Sequence, residues 1–208
     1  MVIGACLAPQ VRLANLAATL LAFFGAVGLA AHALDELNGR PLGTGIPSRA
    51  LIVVAVCGLS LAIGLGTAGI FRVGGWLLPF MVVGPVLVVA YNLELGGGVL
   101  HNDVGFGAAW GAFPALVGYV GQTGSLSWAA VVAAGGAMAM SMAQRSLSTP
   151  ARRLRRRARN VEGEILFSDG SAQPLDQAAL LAPLERALKA ASWGVVLMAA
   201  SFAISRLT

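Results

Sequence analysis

The sequence predicts an all-α protein, a polytopic transmembrane helix bundle of about six spans with a small cytoplasmic insertion before the last span. Three observations carry this. The 208 residues are 57% hydrophobic and 11% charged, with a mean hydropathy of +0.79. That is more apolar surface than one soluble core of this size hides from water. The apolar residues fall in long runs, of about 17 to 22 residues where fully developed, enough to cross a hydrocarbon layer of roughly 30 Å. The charged residues lie mainly between the runs and at their ends.

Taken in order, Met1–Pro9 is too short to span and carries no positive flank, so a partial helix is expected rather than a signal peptide. The expected spans are Leu13–Leu34, Ala50–Ile70, Gly75–Leu93, Val104–Gly121, Trp128–Ala143 and Ala191–Ile204. Glycine and proline inside these runs suit closely packed membrane helices, whose neighbours satisfy freed carbonyls. Cys6 and Cys57 both sit in apolar stretches and read as small buried hydrophobes without metal spacing. The resulting division is a bundle over 1–145, a basic extramembrane segment over 146–190 and a final helix over 191–208.

Charge sets the orientation. If the loop after Leu34 is cytoplasmic, eleven of the fourteen lysines and arginines fall inside and only Arg12, Arg72 and Arg206 outside, as the positive-inside rule requires. The cell membrane, with the polar face cytoplasmic, is the expected location. Within the extramembrane segment, the run ARRLRRRAR lies between two spans. It is therefore expected to meet membrane lipid headgroups and not nucleic acid. VEGEILFSDGS predicts a strand pair turning at Asp169-Gly170. Leu175, Leu180, Leu184 and Leu188 then predict an amphipathic helix feeding the last span.

Two polar clusters share the cytoplasmic side. In HALDELNGRPLGTGIPSR, His32, Asp35 and Glu36 stand at i, i+3 and i+4, one side of a helix end. In YNLELGGGVLHND, Tyr91, Asn92, Glu94, His101 and Asp103 follow the third span. Such groups are costly to bury in a membrane unless paired, metal-bound or facing a wet cavity. Candidate catalytic residues are His32, Asp35, Glu36, Glu94 and His101. Candidate metal ligands are Asp35, Glu36, Glu94 and Asp103. Oxygen donors favour Mg²⁺, whereas histidine admits Zn, Mn or Fe. Arg40 and Arg49, with Tyr91 and Asn92, could hold a phosphate or carboxylate.

The order of these pieces resembles the UbiA-type prenyltransferase superfamily of intramembrane aromatic prenyltransferases. Gly39-Arg40-Pro41-Leu42, Gly45-Ile46 and Arg49-Ala50-Leu51 match the second half of that family's first motif, and GAFPALVGYVGQTGSLSWAA is similar to its fifth span. The resemblance covers about residues 3–145. It implies prenyl transfer to a lipid or isoprenoid substrate, with Mg²⁺ ions bridging a diphosphate and promoting its ionisation. His32 stands where the family's Asn-Asp opening is expected. QRSLSTPARR, where the second Asp-rich motif is expected, has no carboxylate. The expected function is thus a divergent UbiA-like enzyme, with proton-initiated cyclisation or isomerisation as a variant needing fewer metals. The alternatives are another metal-dependent membrane enzyme using the His/Asp/Glu site, and a non-catalytic carrier or scaffold.

Overall fold

A computed structural model describes residues 1–207, which are mostly helical. Helix α1 spans Val2–Cys6, α2 Leu13–Leu37, α3 Ser48–Val73, α4 Gly75–Asn92 and α5 Asp103–Thr123. Then come α6 at Trp128–Arg157, strands β1 at Gly163–Leu166 and β2 at Ala172–Leu175, and α7 at Gln177–Leu207. Among the described residues, five helices (α2, α3, α4, α5 and α7) are long and apolar enough to cross a membrane. The sixth expected span lies within α6, where Gly135, Gly136 and Ser141 lower the hydropathy and Gln144-Arg145 ends the apolar run.

The amphipathic stretch and the last expected span form one continuous helix, α7, so no break falls near residue 190. Leu175, expected on that amphipathic helix, instead ends β2. The hairpin pairs Gly163 with Leu175 and Leu166 with Ala172. Its turn uses Gly170 at φ +84°, a conformation glycine enters without steric cost. Asp169 Oδ1 accepts from the Ser171 amide at 2.9 Å and its hydroxyl at 2.7 Å. These bonds hold the Asp169 carboxyl below its ordinary range. The Arg155–Glu185 ion pair and the bond from Gln177 Nε2 to the Leu154 carbonyl at 2.8 Å tie α6 to α7.

Half of the most apolar stretch of α5 is buried, against none of that of α7, so α5 is central and α7 peripheral. Backbone contact joins the interior helices. A Cβ on Gly58 of α3 would lie 2.3 Å from the Gly25 carbonyl oxygen of α2, and one on Gly4 of α1 would lie 2.0 Å from the Ala115 carbonyl oxygen of α5. Only glycine permits such crossings, the small-residue mode of membrane helices. Beside the first crossing, Ala30, Ala31, Leu34, Leu51, Ala55 and Val88 form a buried cluster under the end of α2. Val53, Val56, Phe71, Val82, Val132 and Leu197 face outward, an apolar exterior compatible with an integral membrane protein. Cys57 is also exposed, while Cys6 is buried.

Candidate functional site

The C-terminal end of α2, the C-terminal end of α4, the N-terminal end of α5 and residue 145 of α6 meet at one end of the bundle. A π-type widening of α2 over Phe24–Ala31 lets His32 Nδ1 reach the Val27 carbonyl at 2.8 Å. A carbonyl only accepts, so Nδ1 carries the proton, and in the neutral ring Nε2 keeps its lone pair. His32 and Asp35 are exposed, whereas Glu36, one residue on, is 3% exposed.

The loop after α2 folds back over Glu36. Its Oε1 accepts from the Thr44 amide and hydroxyl, both at 2.7 Å, and its Oε2 accepts from the Leu42 amide at 3.1 Å. Arg40 braces the same loop from the other side. It donates to the carbonyls of Thr44 at 3.1 Å and Ile46 at 2.6 Å, and to Ser48 Oγ at 3.0 Å. Its own backbone sits at φ +52°, where a side chain is strained. Both residues are thus engaged by their own loop, and Arg49 is exposed at the start of α3.

Asn92 is buried; it donates to the Val88 carbonyl at 2.7 Å and accepts at its backbone oxygen from Asn38 at 3.0 Å. That pair locks the end of α2 to the end of α4. Beyond it, Glu94 has φ +49°, and Gly96, Gly97 and Gly98 are also left-handed. This chain of turns brings His101 back over Tyr91, the rings stacked at 4.8 Å. His101 Nδ1 lies 3.7 Å from Glu94 Oε1, an ion-pair separation that is too long for a hydrogen bond. Asp35 stands one turn beyond His32 on the exposed side of the same helix end.

Arg145 is the residue that sequence reasoning missed. Its Nε donates to Asp103 Oδ1 at 2.9 Å, Nη1 to the Tyr91 hydroxyl at 2.6 Å, and Nη2 to the His101 carbonyl at 3.3 Å. Its guanidinium carbon also stands 5.4 Å from the centre of the Phe106 ring. The only hint in the sequence is position: it is the first charge after the apolar part of α6. Arg145→Ala is expected to cost about 2 kcal/mol, since its carboxylate bond is charge-assisted and its side chain is largely shielded. Arg145→Lys should recover little, because an ammonium lacks the planar fork that meets three acceptors. Thermal unfolding in detergent checks both.

The four expected metal ligands are not brought together. Glu36 is held by the loop, Asp103 by Arg145, and Asp35 and Glu94 remain. Among the described residues, no group of three or more His, Cys, Asp and Glu side chains is arranged to hold a metal ion. The donors that remain therefore do not fit the Mg²⁺ site that the family resemblance implies.

Below this polar end lies an apolar cavity of about 120 Å³, lined by Phe23, Val27, Phe80, Met81, Trp110 and Phe113 among others. Trp110 reaches from its wall to Tyr91, edge-on at a centroid distance of 5.6 Å. The His32 ring is bonded to Val27, another wall residue. The polar end and the cavity therefore meet through Trp110 and Val27. Comparison with protein-family models, curated proteins and solved structures found no match.

Proposed function

We propose that the chain is an integral membrane enzyme, a divergent relative of the UbiA-type superfamily, that acts on an isoprenoid or other lipid by proton transfer. The observation that carries this reading is an almost wholly apolar cavity whose wall residue Trp110 packs against Tyr91, on which His101 stacks beside Glu94. The His32 end faces the cytoplasm of the cell membrane, because eleven of the fourteen basic residues belong to that side. Diphosphate ionisation asks for clustered carboxylates around metal, whereas proton transfer asks only for an acid and a base.

In this reading His101 acts as the acid and gives a ring proton to an alkene carbon of the bound isoprenoid. The π electrons form the new C–H bond and leave a carbocation. The Asp35 carboxylate removes a proton from a neighbouring carbon, whose C–H electrons form the shifted double bond. The proton taken up by Asp35 returns to His101 through solvent, so the net change is isomerisation with no co-reactant. Trp110, in the cavity wall, would set an electron-rich ring beside the cation.

Deuterium incorporation tests this. The full chain in nonionic detergent, incubated with geranylgeraniol in heavy water, should place deuterium in the recovered isoprenoid. His101→Gln and Asp35→Asn should each slow that exchange at least 10²-fold, the usual scale of general acid–base catalysis. Binding of geranylgeraniol without exchange would favour a carrier over an enzyme. Absence of both would remove the lipid reading.

A further inference from the structure

The end of the bundle away from His32 carries a second opening. Helices α2, α3 and α5 border a cleft of about 250 Å³ lined by Asn15, Ala18, Leu65, Gly69, Arg72 and Gly121, among others. It shares Thr19, Ala22, Gly66, Leu77 and Val117 with the apolar cavity described above. The two spaces therefore adjoin, and these shared residues form the neck between them. Their common neck is narrow and adjustable: a Cβ on Gly66 would lie 2.8 Å from Cγ of the flexible Met81 side chain.

Charge at the mouth is one-sided. Arg72 lines it, and Arg12 stands one turn before Asn15. The Asn15 amide donates to the Gly121 carbonyl at 3.0 Å, and Arg72 is the cation among the residues lining the cleft. The nine acidic side chains of the sequence all lie at the His32 end or in residues 162–185. Among the described residues Arg72 forms no ion pair with a carboxylate, while the space behind it is apolar. An uncompensated cation at an apolar mouth is complementary to an anionic head on a hydrocarbon chain.

We propose that this cleft binds a long-chain anionic amphiphile, its phosphate or carboxylate head at Arg72 and its chain passing the Thr19–Gly66 neck toward Trp110. The site lies at the opposite end from the acid–base group and stands whether or not that group is catalytic. Its occupant is a membrane lipid, not a free anion, because the guanidinium alone offers a small ion no enclosed set of donors.

The test is native mass spectrometry of the full chain, released from nonionic detergent after incubation with hexadecyl phosphate. Retention of one equivalent is expected, with apparent affinity falling about tenfold in Arg72→Gln and recovering in Arg72→Lys, as loss and return of one charge-assisted contact would give. Ala22→Phe, which fills the neck, should also weaken retention. Hexadecanol should bind more weakly than hexadecyl phosphate and be indifferent to Arg72→Gln. Equal retention by wild type and Arg72→Gln would overturn the head-group assignment. Unchanged retention in Ala22→Phe would overturn the chain's path. Displacement of hexadecyl phosphate by equimolar inorganic phosphate would show a simple anion site and overturn the lipid.

Discussion

Replacing Gly58 with leucine is expected to prevent the bundle from reaching its native packing, while the same change at Gly64, six residues along α3, should be nearly neutral. A Cβ on Gly58 would meet the Gly25 carbonyl oxygen at 2.3 Å and the Ala30 amide nitrogen at 3.1 Å. Both are backbone atoms, so no rotamer change relieves the contact, and α2 must move away from α3. Overpacking alone costs roughly 1–3 kcal/mol where side chains can adjust. Here the separation also opens the alanine-rich cluster of Ala30, Ala31 and Ala55, and a loss on the order of 4 kcal/mol is expected once that packing is added. Nothing lies within 4 Å of a Cβ on Gly64, and leucine is the better helix former by several tenths of a kcal/mol. Yield of monodisperse protein and its unfolding temperature in detergent would read both. Equal behaviour of the two variants would mean that the α2–α3 contact does not exist in the folded protein.

The long apolar helices were legible because length and hydropathy are properties of composition, which a linear reading sees directly. The gathering of polar groups at one end was legible for the same reason, since those groups occur where the runs stop. Single side chains were less so. Spacing put His32, Asp35 and Glu36 on one side of a helix end, yet Glu36 is buried and the other two are exposed. The difference lies in a loop whose return path depends on Arg40 and on backbone turns that no periodicity reports. Arg145 was hidden differently: in sequence it opens a run of arginines, but only the packing of α6 beside α5 shows that it differs from them. Its place is where the family resemblance asks for carboxylates, and it supplies the opposite charge. It meets Asp103 directly.

Glu36 separates a loop brace from a metal ligand, and the two roles predict different outcomes for the same variants. As a brace, its carboxylate accepts three hydrogen bonds from Leu42 and Thr44. Bonds to a charged acceptor contribute roughly 1.5–3 kcal/mol each when shielded, less where water can replace the carboxylate. The loop donors are only partly buried, so Glu36→Ala is expected to cost about 3 kcal/mol in total rather than the full sum. Glu36→Gln keeps one carbonyl oxygen, which can serve both Thr44 donors. Its amide nitrogen then faces the Leu42 amide, donor against donor, and a loss of about 1–2 kcal/mol follows. Thr44→Val should lose the hydroxyl bond alone and cost less than Glu36→Ala. Unfolding temperatures should therefore rank wild type, then Thr44→Val and Glu36→Gln, then Glu36→Ala, with the same order in the presence of Mg²⁺ or of a chelator. A metal ligand would behave otherwise, since a bound ion stabilises the folded form by mass action. Stability would then rise with Mg²⁺ in the wild type, and Glu36→Gln would abolish that rise.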